Sequence, residues 1–357
     1  AHRLTPKTPR VMLATATMIA PAAVQVTSVA PESFGELGWA RTGASSPSDE
    51  VSFTVNLKQQ NMDELKRHAL AASTPGSPEY GNFMTTKEID DLTSPSSAAV
   101  QRVKAWLLEH DVSTFNVVRE NVFVRTNVEK ASELLGTSFS TYRMDGRALT
   151  RAADYSLPAE VAEVTATTLG LHGLPAPRME PIILSRNDSA AKQPPKVTPS
   201  VIYETYSIDD PYVNLQGTNR QGVAEFQGQY MNKADLVKFF DKEVKGFTPG
   251  EDDVSKFVGA PYKKGNGVEA DLDIQFIMGV APGVKTDFFE WPEMDFCGDL
   301  LSYTAALLDS DSITNSISYG FQGDLKQLNC KAADVTAVDA NWAKLAAKGV
   351  SVMISSG

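Results

Sequence analysis

The sequence predicts an α/β chain in two parts: an α+β unit of the ferredoxin-like kind, then a parallel sheet flanked by helices. Three observations predict it. From Val51 to Arg143 the hydrophobic patterns follow the order β-α-(αα)-β-β-α-β of a split βαβ unit. From Gly222 to Ile354 strand and helix patterns alternate, as they do in a parallel sheet wrapped by helices. Between these stretches, Pro175, Pro177, Pro181, Pro194, Pro195 and Pro199 exclude a regular ladder or helix interior. Four segments result: a leader over 1–44, a first domain over 45–175, a linker over 176–196 and a second domain over 197–357.

The leader places His2, Arg3, Lys7 and Arg10 before the small-apolar stretch Val11–Ala23. That order suits the remnant of a secretory signal, and an unstructured Ala/Thr/Pro leader is the alternative. A polar stretch over 41–49 follows, and ordered structure is expected to start near Val51. Val51–Leu57 alternates as a half-buried strand does. Met62–Ala72 reads as a helix, and Thr85-Thr-Lys-Glu88 is a capping box that opens another. Val100, Val103, Trp106 and Leu107 stand at helical spacing within Ser96–His110 and make Trp106 a core residue. Strands are expected at 115–119 and 122–125, and a helix over 128–135 that stops at Gly136. Phe139–Arg143 and a Met-Asp-Gly-Arg turn close the unit, with Phe139–Arg143 as its fourth strand.

In the second domain strands are expected at 222–227, 285–290, 312–318 and 350–354. Helices are expected over 232–243, 267–280, 298–308 and 331–347. Ligand sites in this architecture gather at the carboxyl ends of the strands. The last strand pattern runs into Ser355-Ser-Gly357, on the loop leaving a central strand, so the natural sequence is expected to continue.

Composition narrows the function. The 357 residues carry 33 Lys+Arg against 44 Asp+Glu, a net charge of −11, which disfavours a nucleic-acid partner. Two cysteines exclude a disulfide scaffold, and so few His and Cys exclude a multi-zinc protein. No uninterrupted apolar run of about 18 residues suggests a membrane span. The four histidines, His2, His68, His110 and His172, all lie in the first half. Any general base beyond residue 190 must be something other than imidazole.

Carboxylates are the available alternative. In Gly267-Val-Glu-Ala-Asp-Leu-Asp-Ile-Gln-Phe-Ile-Met-Gly279, Glu269 and Asp273 stand four apart and share a helix face, whereas Asp271 points elsewhere. The apolar residues around them suggest burial, where like charges raise each other's pKa. A solvated acidic helix face is the plain alternative. A Glu base suits chemistry at acidic pH, since the best catalytic pKa lies near the working pH. A second carboxylate behind it can orient it, as in a triad.

The Glu269-x-x-x-Asp273 helix resembles that of the sedolisin family of serine-carboxyl peptidases. Val197-Thr-Pro-Ser-Val-Ile202 looks like the start of the mature enzyme in the tripeptidyl peptidase I branch. Ser316-Ile-Ser-Tyr-Gly320 is similar to the family's cleft strand, and Gly349–Gly357 to its oxyanion strand. Ser77–Thr85 and Tyr155-Ser-Leu-Pro158 look like marks of its activation domain. The resemblance runs in family order from about Glu32 to Gly357.

The resemblance implies a subtilisin-like catalytic domain over 197–357, here in its N-terminal part, preceded by an activation domain. It makes Glu269 the general base, Asp273 the carboxylate behind it, and Ser318, Tyr319 and Gly320 the substrate-binding strand. Tyr319 stands where some endopeptidase members have Trp, which favours the tripeptidyl branch. Glu225 matches a position that supports the dyad in some members, and a partly buried strand-end carboxylate is the alternative. The oxyanion Asp, the Gly-Thr-Ser nucleophile and the Ca2+ ligands are expected beyond Gly357, so these residues alone should be inactive.

The implied protein is a secreted or lysosomal/vacuolar acid peptidase made as a zymogen, releasing tripeptides from free N-termini of peptide and protein substrates. Its activation domain would be an intramolecular inhibitor, cut free near 189–196 on acidification. A sedolisin-type endopeptidase and a non-catalytic inhibitor or binding module are the alternatives. A histidine-dependent subtilisin-like hydrolase is disfavoured. In a secreted protein Asn187-Asp-Ser189 is a glycosylation site. Cys297 and Cys330 would there form a disulfide, or stand as two separate thiols.

Overall fold

The computed structural model describes residues 25–28, 38–175, 196–209, 219–265, 267–291, 295–318 and 330–354. The first half contains β1 (Gln25–Ser28), β2 (Ala40–Ala44), β3 (Glu50–Leu57), α1 (Met62–Ser73), α2 (Thr86–Thr93) and α3 (Ser97–Glu109). It continues with β4 (Phe115–Val118), β5 (Asn121–Asn127), α4 (Val128–Leu135), β6 (Phe139–Met144), β7 (Arg147–Ala152), β8 (Tyr155–Pro158), α5 (Ala159–Val164) and β9 (Thr165–Leu169). Ordered structure thus begins before Val51. β1 pairs with β8, β2 pairs with β6, and Trp39 is buried with its indole N–H on the Pro175 carbonyl.

The main sheet of this half has the order β4-β5-β3-β9 and is antiparallel throughout. Counted along the chain among its own members, that is 2-3-1-4, the ferredoxin-like arrangement. Its fourth strand, however, is β9. Phe139–Met144 is drawn into a separate three-stranded sheet, β2-β6-β7, by the turn at Asp145 and Gly146, whose positive φ values of 49° and 77° make a tight hairpin. Helix starts follow the cap signals. Thr85 and Glu88 form a reciprocal capping box on α2, and Ser96 and Asn127 cap α3 and α4. Trp106 packs in the core with Phe53, Val55, Leu107 and Val124.

The second half contains α6 (Pro199–Tyr206), β10 (Arg220–Glu225), α7 (Lys233–Glu243), β11 (Lys256–Gly259), α8 (Val268–Val280), β12 (Lys285–Glu290) and α9 (Phe296–Leu308). β13 (Thr314–Ser318), α10 (Ala332–Lys348) and β14 (Ser351–Ile354) complete it. The five strands form one parallel sheet in the order β11-β12-β10-β13-β14. One face carries α7 and α8 over Val223 and Phe288, and the other carries α9 and α10 over Ala224, Phe289 and Ile317. The chain leaves β10 toward β11 on one side and leaves β13 toward β14 on the other. The carboxyl ends of β10 and β13 therefore flank a topological switch point, where open α/β sheets bind ligands.

The halves meet through α9 and α10. Leu65, Ala69 and Ile89 pack on Ala347, while Leu169 packs with Cys297, Leu301 and Val338. The β4–β5 hairpin tip brings two charges to this seam. Arg119, held at φ 53°, binds Asp309 at 2.5 Å and Asp90 at 2.7 Å. Beside it the Glu120 carboxylate accepts from Lys344 at 2.7 Å, with both side chains 1% exposed.

Candidate active site at the strand ends

Glu225 is the last residue of β10. In register with it lie Glu290, the last residue of β12, and Ser318, the last of β13. The loop that leaves β10 turns sharply, with Gln227 in the left-handed region at φ 56°. The chain before α8 then returns to lie directly against it. The Gly265 and Gly267 amides donate to the carbonyls of Met231 and Tyr230. Any Cβ at these two glycines would collide with Tyr230 and Gln229. This close approach sets the first turns of α8, and with them Glu269 and Asp273, beside the end of β10.

Glu225 is 1% exposed. Burial drives its pKa well upward, and the neighbouring charges of Asp273, Glu269 and Glu290 drive it in the same direction. Glu225 is therefore the protonated partner and donates to Asp273. Asp273 is itself raised, first by burial and also by Glu269, while the bond from Glu225 opposes the rise. Glu269 lies in the first turn of α8, where the helix dipole favours a negative charge. Asp271 turns away and accepts from the Asn232 amide at 2.7 Å. Of Glu269, Asp273 and Glu225, the last two can hold one proton between them, with the charge of Glu269 acting on both.

α8 is less buried than its apolar sequence suggests. Ala270, Ile274 and Met278 enter the core, but Val268 and Leu272 are 64% and 51% exposed. Of the three expected substrate-strand residues only Ser318 is described, and it is placed by its backbone. Tyr319, Gly320 and Asn187 lie outside the described residues. Cys297 and Cys330 are joined in a disulfide, with sulfurs 2.10 Å apart. Among the described residues no group of three or more His, Cys, Asp or Glu is arranged to hold a metal ion, so no Ca2+ ligand set is assigned to them.

One residue of this cluster escaped the sequence reading. Glu290 was legible only as the polar end of a strand, because its neighbours in space are 65 positions away in β10. Gly136-Thr137-Ser138 terminates α4, as expected of Gly136: it lies at φ 58°, and the Thr137 amide donates to the Ser132 carbonyl. It is a helix stop far from Glu269 in the chain.

Residues 37–173 match the family model described as "Pro-kumamolisin, activation domain". The first half thus resembles a peptidase activation domain, joined to an α/β parallel-sheet unit with a carboxyl cluster at its strand ends. The chain is 28% identical over 334 residues to tripeptidyl-peptidase 1 of Rattus norvegicus, over 337 residues to that of Bos taurus and over 344 to that of Homo sapiens. Each match covers 90% of this chain and 58% of the relative, so the chain spans under two thirds of the length of these relatives. Along 90% of its length the chain is thus similar to tripeptidyl-peptidase 1.

Proposed function

We propose that these residues belong to an acid-acting serine-carboxyl peptidase zymogen that removes tripeptides from free N-termini. The observation that carries the reading is the proton-sharing contact between Glu225 and Asp273 beside Glu269, at the switch point of a half without histidine. In this reading 45–175 is the activation domain, 176–196 the linker with the maturation site, and 197–357 the N-terminal part of a subtilisin-like domain. Glu269 accepts the proton of a serine nucleophile, and Asp273, steadied by Glu225, orients Glu269. The backbone at 318–320 pairs with the extended substrate. The nucleophile, the oxyanion Asp and the Ca2+ ligands have no assigned counterpart among these residues, and the reading leaves them inactive by themselves. A secreted or lysosomal/vacuolar location accords with the 297–330 disulfide. Among the described residues no helix is long and apolar enough to cross a membrane.

The reading also proposes acid-triggered release of the activation domain, and the seam contains groups of both signs. Arg119 holds Asp309 below the usual carboxylate range, so that pair's contribution falls away as pH drops through the lowered value. Burial lowers His172 to about 4, so neutral His172 loses its advantage as pH falls from about 6.5 toward 4. Asp295, raised to about 6, and Asp334, also raised, act oppositely, since acid relieves their burial. Release would require the first pair of groups to outweigh the second.

The test is an assay of the natural full-length protein on free and N-terminally blocked peptides at acidic pH. Tripeptide release only from free N-termini, reduced about 10²–10⁴-fold by Glu269→Gln, is expected. Cleavage inside blocked peptides would mean an endopeptidase instead. Undiminished activity in Glu269→Gln would overturn the assignment of the base.

A further inference from the structure

Glu290 belongs to none of the motifs that carry the family resemblance, yet its place on the sheet ties it to the carboxyl pair. Register partners on adjacent parallel strands are about 5 Å apart and point to the same face. Two positions earlier, Val223 and Phe288 both enter the core beneath α7 and α8. By the same alternation Glu225 and Glu290 both point toward the α8 layer, where Asp273 sits. Glu290 is 3% exposed, and the buried Oε1 atoms of both Glu290 and Glu225 lack a hydrogen-bond partner.

The groups around Glu290 come from every neighbouring element. Tyr230, on the loop leaving β10, hydrogen-bonds to it, and Lys263, on the loop before α8, supplies a positive charge from above the Tyr230 ring. β10 contributes Glu225, and through Glu225 the carboxyls of Asp273 and Glu269 on α8 join the same field. The segment after β11 contributes backbone, with the Ala260 amide donating to the Glu290 carbonyl at 2.8 Å. Burial raises Glu290 to about 7, against the lowering effects of Tyr230 and Lys263. The charge of Glu290 is among the influences that push Glu225 well upward, after burial and Asp273. Ionised Glu290 therefore favours the proton on Glu225. A strand-end carboxylate with only a structural role would gain nothing from an unpartnered buried oxygen, which is costly wherever it occurs.

We infer that Glu290 is a positioning residue for the site: its carboxyl keeps the shared proton on Glu225, which leaves Asp273 as the acceptor that orients Glu269. The proton placement stands on the strand register and burial, and its catalytic meaning rests on the proposed role of Glu269. Two carboxyls so close cannot both ionise cheaply, so the negative charge settles on Glu290, which has Tyr230 and Lys263 to receive it. Glu225 remains a donor to Asp273 while Glu290 is ionised, and that hold is released as acid protonates Glu290 below about 7.

The experiment is a site-resolved 13C titration of the Glu and Asp carboxyls in the 357-residue chain, comparing wild type with Glu290→Gln, Glu290→Asp and Glu225→Gln. Gln retains an oxygen that accepts from Tyr230 and removes only the ionisable group. In Glu290→Gln the transition near pH 7 should vanish and Glu225 should titrate at least about one pH unit lower. Glu290→Asp should return most of that shift. An unchanged Glu225 titration in folded Glu290→Gln would overturn the inference. If Glu290→Gln does not fold, Glu225→Gln decides: with Glu225 neutral while Glu290 titrates, the transition near pH 7 should stay in place, and its move to lower pH overturns the inference. Activity plays no part in this readout. Failure of the Glu269 assay would sink the peptidase reading and leave the proton placement standing, and the reverse also holds.

Discussion

The seam between the halves and the strand-end cluster both bury ionisable groups, but they manage them in opposite ways. At the seam positive and negative charges meet. Lys344 faces Glu120, Arg119 faces Asp309 and Asp90, and fully buried Arg151 lies in the field of Asp295 and Asp299. At the strand ends Glu225, Asp273, Glu269 and Glu290 crowd together, with Lys263 as the cation acting on Glu290 at their edge. The seam is built to hold charges, and the cluster is built to hold protons. Removing a partner should therefore break the first, whereas a change of pH should reset the second.

The largest expected effect breaks the seam at its most buried pair. Glu120→Ala leaves the Lys344 ammonium without a counter-charge and should cost about 3–5 kcal/mol in urea unfolding. Combining Glu120→Leu with Lys344→Met should recover most of that loss, since replacing both ions by apolar groups is often neutral. A small loss in Glu120→Ala would mean that water reaches the pair and that the contrast with the cluster is weaker than drawn.

A smaller effect tests whether the seam also senses protons. His172 packs against Tyr155 with ring centroids 4.8 Å apart at a tilt of 52° and donates its Nε2–H to the Ala153 carbonyl, while buried Nδ1 has no partner. Lys331 and Arg151 disfavour its cation, and Asp154 favours it. Stability should fall as pH drops from about 6.5 to about 4, by up to roughly 3 kcal/mol for a shift of this size. His172→Phe should flatten that part of the stability profile. A profile identical to wild type would remove His172 from the acid response.

The smallest effect belongs to the seam's wettest pair. The Asp309 side chain is 57% exposed, so Asp309→Ala, which leaves Arg119 on Asp90, should cost only about 1 kcal/mol or less, and that loss should shrink in high salt. A salt-independent loss of several kcal/mol would place this pair with Lys344 and Glu120 instead.

What could be read from the sequence was whatever local chemistry decides. The Thr85–Glu88 box, the stop at Gly136 and the strand over 285–290 needed no distant partner. β9 was missed for the opposite reason. Its sequence, Thr165-Ala-Thr-Thr-Leu169, has little apolar alternation, because Thr167 hydrogen-bonds Asp334 and Leu169 packs beside the disulfide, both in the other half. α6 was hidden because Pro199 reads as linker, although at the first turn of a helix its missing N–H costs nothing. At the site, the i, i+4 spacing of Glu269 and Asp273 is a local signal and was visible. The Glu225–Glu290 pair depends on strand register, which no short window of sequence contains.

The Lys344–Glu120 contact also carries a consequence for the order of synthesis. Its partners are 224 residues apart in the chain. At 5–20 residues per second, Lys344 leaves the ribosome about 10–45 s after Glu120 does. For that interval the hairpin carrying Arg119 and Glu120 stands already made, with its surface turned toward helices that do not yet exist. The first half is then a template waiting for its cast, and α10 has a destination for its one deeply buried ammonium among the described residues at the moment it forms.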